Sequence, residues 1–110
     1  MMNNSKSIQN ILNNEKIDIF TKKISDCNEL EVKVGTNGYH GGDGGHGSAT
    51  YISIKDAGNT SMEIQTLKYS DKNNIGFEIH LAGDAELRTI IESFKFILNT
   101  LEEQSKKHVK

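Results

Sequence analysis

Between Ala85 and Gln104, apolar side chains recur at three- and four-residue steps: Leu87, Ile90, Ile91, Phe94, Ile97, Leu98 and Leu101. That period places them in one stripe along a helix. Asp84 is a good N-cap, Glu86 suits the positive end of the helix dipole, and Lys106 and Lys107 suit the negative end. Burying seven such side chains contributes, gross, on the order of 10–20 kcal/mol before conformational entropy is subtracted. The rest of the chain must supply a surface for this stripe. Phe96 falls outside it, as a singly exposed aromatic or an oligomer contact.

That surface reads as a sheet. Leu30, Val32 and Val34 alternate with Glu29, Glu31 and Lys33, and Ile52 and Ile54 with Tyr51, Ser53 and Lys55. Met62 and Ile64 alternate with Glu63 and Gln65, and Ile75, Phe77, Ile79 and Leu81 with Gly76, Glu78 and His80. A period of two means one buried face and one wet face, the antiparallel pattern. The parity switches near Thr66, which predicts a bulge or an early strand end. Turn residues separate the runs at Asp56-Ala57-Gly58-Asn59 and at Ser70-Asp71-Lys72-Asn73-Asn74. Residues 1–28 read as a short helical segment, from Ile8, Ile11 and Leu12 and then Ile17, Phe20 and Ile24, although "KIDIF" also suits an extended piece. The expectation is an α+β fold: a four-stranded antiparallel sheet over residues 29–110, the long C-terminal helix on one face, and a helical N-terminus, one domain overall.

The strand pattern is broken once, by "GTNGYHGGDGGHG" from Gly35 to Gly47, which holds seven of the ten glycines. A hairpin needs only a two- to five-residue loop, so this stretch has another use. Gly42, Gly44 and Gly47 satisfy G-x-G-x-x-G, but a strand follows where a dinucleotide-binding motif opens a helix. No Lys follows to make a phosphate loop, and 110 residues cannot supply the other parts of a kinase. Consecutive glycines at positive φ can instead aim several N–H groups at one anion. Gly41, Gly42, Asp43, Gly44, Gly45, His46 and Gly47 form such a candidate site. Tyr39 would stack on a base, and His40, His46 and Lys55 would supply directional donors. The alternative is a mobile loop with no ligand. His40, Asp43 and His46 also have the chemistry of zinc or iron ligands, but Asp43 better suits capping its own turn, and no metal is assigned.

Composition removes other classes. The formal net charge is -2, and Arg88 is the only arginine. That gives no footprint for duplex nucleic acid. Cys27 stands alone, so there is neither a disulfide framework nor a cysteine zinc site. "MMNNSKSIQN" has no signal-peptide run, and no stretch approaches the ~20 apolar residues of a membrane span. The expected setting is the cytoplasm. His80 reads as a solvated surface histidine on the wet face beside Glu78. No arrangement of Ser, His, Asp or Cys supports covalent catalysis, and no cofactor is expected.

Over Val32 to Gln104, "VGTNGYHGGDGGHGSATYISI" and "GFEIHLAGDAELRTIIESFKFILNTLEEQ" resemble a group of small phage and prophage proteins. No activity is attached to that group, so no catalytic residue carries over. The resemblance implies a counter-defence role in the host cytoplasm. Such factors either capture nucleotide signals of bacterial immunity in oligomer pockets or block a host effector by contact. The leading expectation is a non-enzymatic sponge for a small phosphorylated or nucleotide-like ligand, acting as a homo-oligomer. An inhibitor that contacts a host defence protein comes second, and a metal-dependent hydrolase using His40, Asp43 and His46 third.

Overall fold

In chain order the elements are β1 (Ser5–Asn10), β2 (Lys16–Ser25), β3 (Glu29–Thr36), β4 (Thr50–Gly58), β5 (Met62–Tyr69), β6 (Lys72–Leu81) and α1 (Asp84–Lys106). The structure is a computed structural model and describes residues 5–10, 16–69 and 72–106. β1 to β4 form an antiparallel sheet in sequential order, while β5 and β6 form a separate two-stranded ribbon. α1 packs on β3 and, to a lesser extent, on β2.

The α+β class and the long helix on one sheet face agree with the sequence reading. Two parts of that reading are corrected. The N-terminal helix is absent: the described part of residues 1–28 is β1 and β2, joined to β3 by a bend at 26–28. Ile11 and Leu12 lie outside the described residues. In β2, Ile17 and Ile19 are buried on one parity and Ile24 on the other, with Phe20 and Lys22 half-buried beside it. A strand covered on both faces loses the clean alternation that announces it.

The expected strands β3 to β6 do all form, but not in one sheet. β5 does not pair with β4. At the end of β4, Asp56 Oδ1 accepts the N–H of Gly58 at 2.9 Å and of Thr60 at 3.2 Å, a side-chain-closed turn. Asn59 follows with φ 55°, a left-handed conformation that Asn tolerates. The N–H of Ser61 donates to Glu86 Oε2 at 3.0 Å, and Thr60 Oγ1 donates to the Glu29 carbonyl at 3.1 Å. These bonds tie the start of the ribbon to the helix and lead it away from β4. Alternation fixes which side chains share a face, but it does not say which strands are neighbours. The expected parity switch falls between Leu67 and Tyr69, where the β5–β6 register slips.

The core lies between α1 and one sheet face. The register pairs Phe20 with Val34 and Val32 with Ile54, so Phe20, Ile24, Val32, Val34 and Ile54 point the same way. Phe96 and Ile97 pack on them, with Leu101 at the margin. Lys22 Nζ sits 5.6 Å from the centre of the Phe96 ring, within cation–π range. The helix is therefore rotated about its axis relative to the stripe read from sequence. Its buried side carries Glu86, Thr89, Ile90, Ser93, Phe96, Ile97 and Gln104, and Phe96 is a core residue after all. Leu87, Ile91, Phe94 and Leu98 are 43–58% exposed. The polar members are satisfied internally: Thr89 Oγ1 donates to the Glu86 carbonyl at 3.1 Å and Ser93 Oγ to the Thr89 carbonyl at 2.7 Å. Small hydroxyls that bond back along their own helix let it approach the sheet closely.

Asp26, in the bend after β2, holds Arg88 on α1 with a two-pronged ion pair at 2.7 and 3.0 Å. It also accepts the Cys27 N–H at 2.8 Å. The Arg88 guanidinium, helped by that N–H, lowers the Asp26 carboxyl from 3.8 to about 2. A depressed folded-state value adds stability above the unfolded value and loses it as pH falls through the folded one. Urea midpoints should thus fall between about pH 4 and pH 2, in part through this pair. Asp26→Asn should flatten that fall. Equal slopes for the two proteins would show that the pair has no part in acid sensitivity.

Candidate functional site

The glycine-rich segment leaves β3 at Thr36 and returns to β4 at Thr50, and a polar network closes its base. Asn37 N–H donates to the Ala49 carbonyl at 3.2 Å, while Asn37 Oδ1 accepts the Ala49 N–H at 2.8 Å. Thr36 Oγ1 donates to the Ala49 carbonyl at 3.0 Å and accepts the Gly38 N–H at 3.2 Å. Its remaining contact, at 3.0 Å to Thr50 Oγ1, is then received from Thr50. From the helix, Gln104 Oε1 accepts the Thr36 N–H and Gln104 Nε2 donates to the Asp18 carbonyl, both at 3.0 Å. The loop is thereby bolted to β2 and α1 at its root.

The tip is pinched by its own backbone. A Cβ on Gly42 would stand 2.8 Å from the His46 carbonyl, and one on Gly47 2.6 Å from the Gly42 oxygen. Two of the glycines are there so that main chain can touch main chain. Gly41, Gly44 and Gly45 have φ of +85°, +58° and +98°, with nothing within 4 Å of a Cβ position. No side chain or backbone crowds the Cβ side of these three positions. The His46 N–H donates to the Asp43 carbonyl at 3.2 Å, closing the turn. His40 Nε2 lies 2.9 Å from the Asn37 carbonyl. A carbonyl only accepts, so that nitrogen carries the proton.

Residues Tyr39 to His46 are exposed and adjacent, and Gly47 is half-buried behind them. Lys55 is not with them. It lies five residues beyond Thr50 along β4, about 17 Å away at strand rise, where it pairs with Glu31 at 3.6 Å. His80 and Glu78 stand on the ribbon, opposite Glu63 and Gln65. Among the described residues no three His, Cys, Asp or Glu side chains converge as a metal site would need.

Several residues beside the loop escaped the sequence reading. Two adjoining hollows share Tyr39, Leu101 and Ser105 as walls. The larger, about 560 Å³, is completed by Leu98, Glu102 and Lys106. The smaller, about 250 Å³, reaches under the loop to Thr36, Gly38, Ser48 and Thr50. The larger is a shallow groove, more open to solvent than enclosed. Tyr39, 71% exposed, stands between this cleft and the glycine-rich tip. The cleft adjoins the carbonyl end of α1, which repels an anion. The nearest sequence signal for the helix contribution was the apolar stripe, which said nothing about the loop some fifty residues earlier.

No protein-family model matches the chain, and no curated protein or solved structure matches it. Among the described residues no helix is long and apolar enough to cross a membrane.

Proposed function

We propose that this chain is a non-enzymatic binding protein that captures a small nucleotide-like ligand at the junction of the glycine-rich loop and the end of α1. The flat, less polar part of the ligand lies on Tyr39 against Leu101. Its anionic part reaches the backbone around Gly41 and Gly44. The observation that carries this reading is the hollow of about 560 Å³ walled by Tyr39 on one side and the helix on the other. The loop's bonded root supports it too, because a preformed site spends less of its binding energy on ordering. The resemblance to phage proteins supplies a setting in which sequestration has a use: a sponge lowers free signal by mass action and needs no turnover. Lys55 has no part in this site.

The test is mass spectrometry of metabolites released by heat, followed by calorimetry with cyclic and ADP-ribose-like nucleotides. Tyr39→Ala should weaken binding by roughly 10-fold or more, since stacking on one base is worth about 1–3 kcal/mol, and should leave the melting temperature of the unliganded protein nearly unchanged. Absence of any released nucleotide, together with no heat of binding across the panel, would end this reading.

A further inference from the structure

The outer stripe of α1 and one face of the β5–β6 ribbon are apolar, and nothing among the described residues covers them. The ribbon register sets Met62 opposite Leu81, Ile64 opposite Ile79 and Thr66 opposite Phe77. All of these share one face with Ile75, while Glu63, Gln65, Glu78 and His80 share the other. Ile64, Ile75 and Phe77 are 54%, 58% and 66% exposed. The ribbon packs substantially only on itself, and a lone two-stranded hairpin is at best marginally stable in water. On α1, Leu87, Ile91, Phe94 and Leu98 follow one another at steps of four, three and four, in a line about 100° around the helix from the buried side. The radius of gyration is 15.5 Å, against about 13 Å for a compact chain of this length.

We propose that a second copy of this chain covers both faces, in a twofold dimer in which the ribbon of each copy lies along the outer stripe of the other's helix. The dimensions fit. Leu87 to Leu98 spans about 17 Å at helical rise, and Ile75 to Leu81 about 20 Å at strand rise. Two strands about 5 Å apart, with their side chains, make a bed about as wide as one helix of 10 Å. Half-exposed side chains of this size leave roughly 100 Å² each, so the seven most exposed would bury roughly 1,400 Å² over two copies, inside the range of stable interfaces. Ribbon on ribbon would leave the helix stripe wet. Helix on helix would offer only two heptads, too few for a coiled coil, and would leave the ribbon wet. Exchange of ribbons covers everything with one symmetric contact.

Light scattering of the protein without ligand should give twice the protomer mass, and Phe77→Glu should halve it while the far-ultraviolet helix signal persists. Cys27 is the only cysteine and is exposed, so a Cys27→Ser background allows directed cross-linking. Phe77→Cys and Phe94→Cys proteins, mixed, allowed to exchange and oxidised with copper–phenanthroline, should give a 77–94 disulfide between two chains. Ile75→Cys with Ile91→Cys offers a second pair should the first fold poorly. A protomer mass would overturn the proposal. So would Phe94→Cys joining only to itself, a disulfide closed within one doubly substituted chain, or a dimer held elsewhere that Phe77→Glu leaves intact. None of these readouts involves Tyr39 or a nucleotide, so the dimer and the sequestration reading stand or fall separately.

Discussion

Gln104→Leu is expected to lower the free energy of unfolding by about 1–3 kcal/mol, read from urea or guanidinium denaturation at neutral pH. Gln104 is only 7% exposed, and its amide satisfies two backbone groups on different strands, the Thr36 N–H and the Asp18 carbonyl. Leucine fills a similar volume, so packing changes little. What changes is that the buried Thr36 N–H loses its acceptor, at about 1–3 kcal/mol, while the part-buried Asp18 carbonyl loses one donor. The effect should extend to the loop, because Thr36 is also the hub that receives Gly38 and holds Ala49. Nucleotide affinity should therefore fall in Gln104→Leu even though residue 104 does not line the hollow. A cost below 1 kcal/mol would mean that water replaces the amide at both groups, and that the root of the loop is not closed as described.

The same residue explains why the helix face was misread from sequence. Periodicity scores apolar side chains as inward and polar ones as outward, and by that rule Leu87, Ile91, Phe94 and Leu98 outvote Glu86, Thr89, Ser93 and Gln104. The structure reverses the vote because each of the four polar side chains has a bonding partner inside: the Ser61 N–H for Glu86, helix carbonyls for Thr89 and Ser93, and two strands for Gln104. Helix length and position were nonetheless legible to within two residues at either end, since both faces share the same period. Strands β3 to β6 were legible because each shows alternation, and β2 was not because both its faces are covered. The division into a sheet and a separate ribbon depends on the bonds around Asp56, Ser61 and Glu86, which no hydropathy pattern encodes.

The candidate site shows the same limit. Tyr39 to Gly47 stood out because a glycine-rich break between two strands is conspicuous. Leu98, Leu101, Ser105 and Lys106 did not, because the rotation of the helix brings them to the loop. Lys55 was placed with the loop on parity alone, and parity carries no information about distance along a strand. The apolar stripe was expected to lie on the sheet as a whole. Of its seven side chains, Ile90 and Ile97 are buried by the protomer's own sheet and Leu101 is half-buried. The other four are exposed.

Gly35→Ala should prove as damaging as the loss of Gln104, for a reason that separates this glycine from its neighbours in the motif. Gly35 is buried within β3, opposite Tyr51, and its backbone lies against β2. A Cβ there would run into the Asp18 carbonyl and stand 2.9 Å from Cγ2 of Ile17. Ile17 is 1% exposed and has no room to yield, and the Asp18 oxygen is main chain, already accepting from Gln104. One methyl therefore forces two strands apart, and the cost should be about 3 kcal/mol or more, at the upper end for overpacking. Gly45→Ala is the counterpart. Its φ of +98° penalises a side chain, but a Cβ there meets nothing within 4 Å. The penalty should be about 1–2 kcal/mol, borne mostly within an exposed loop, so global unfolding should hardly register it. Gly45→Ala should instead weaken nucleotide binding, and Gly35→Ala should shift the denaturation midpoint. Equal midpoints for the two variants would show that the first glycine of the motif belongs with the loop, and that the close approach of β3 to β2 is not what requires it.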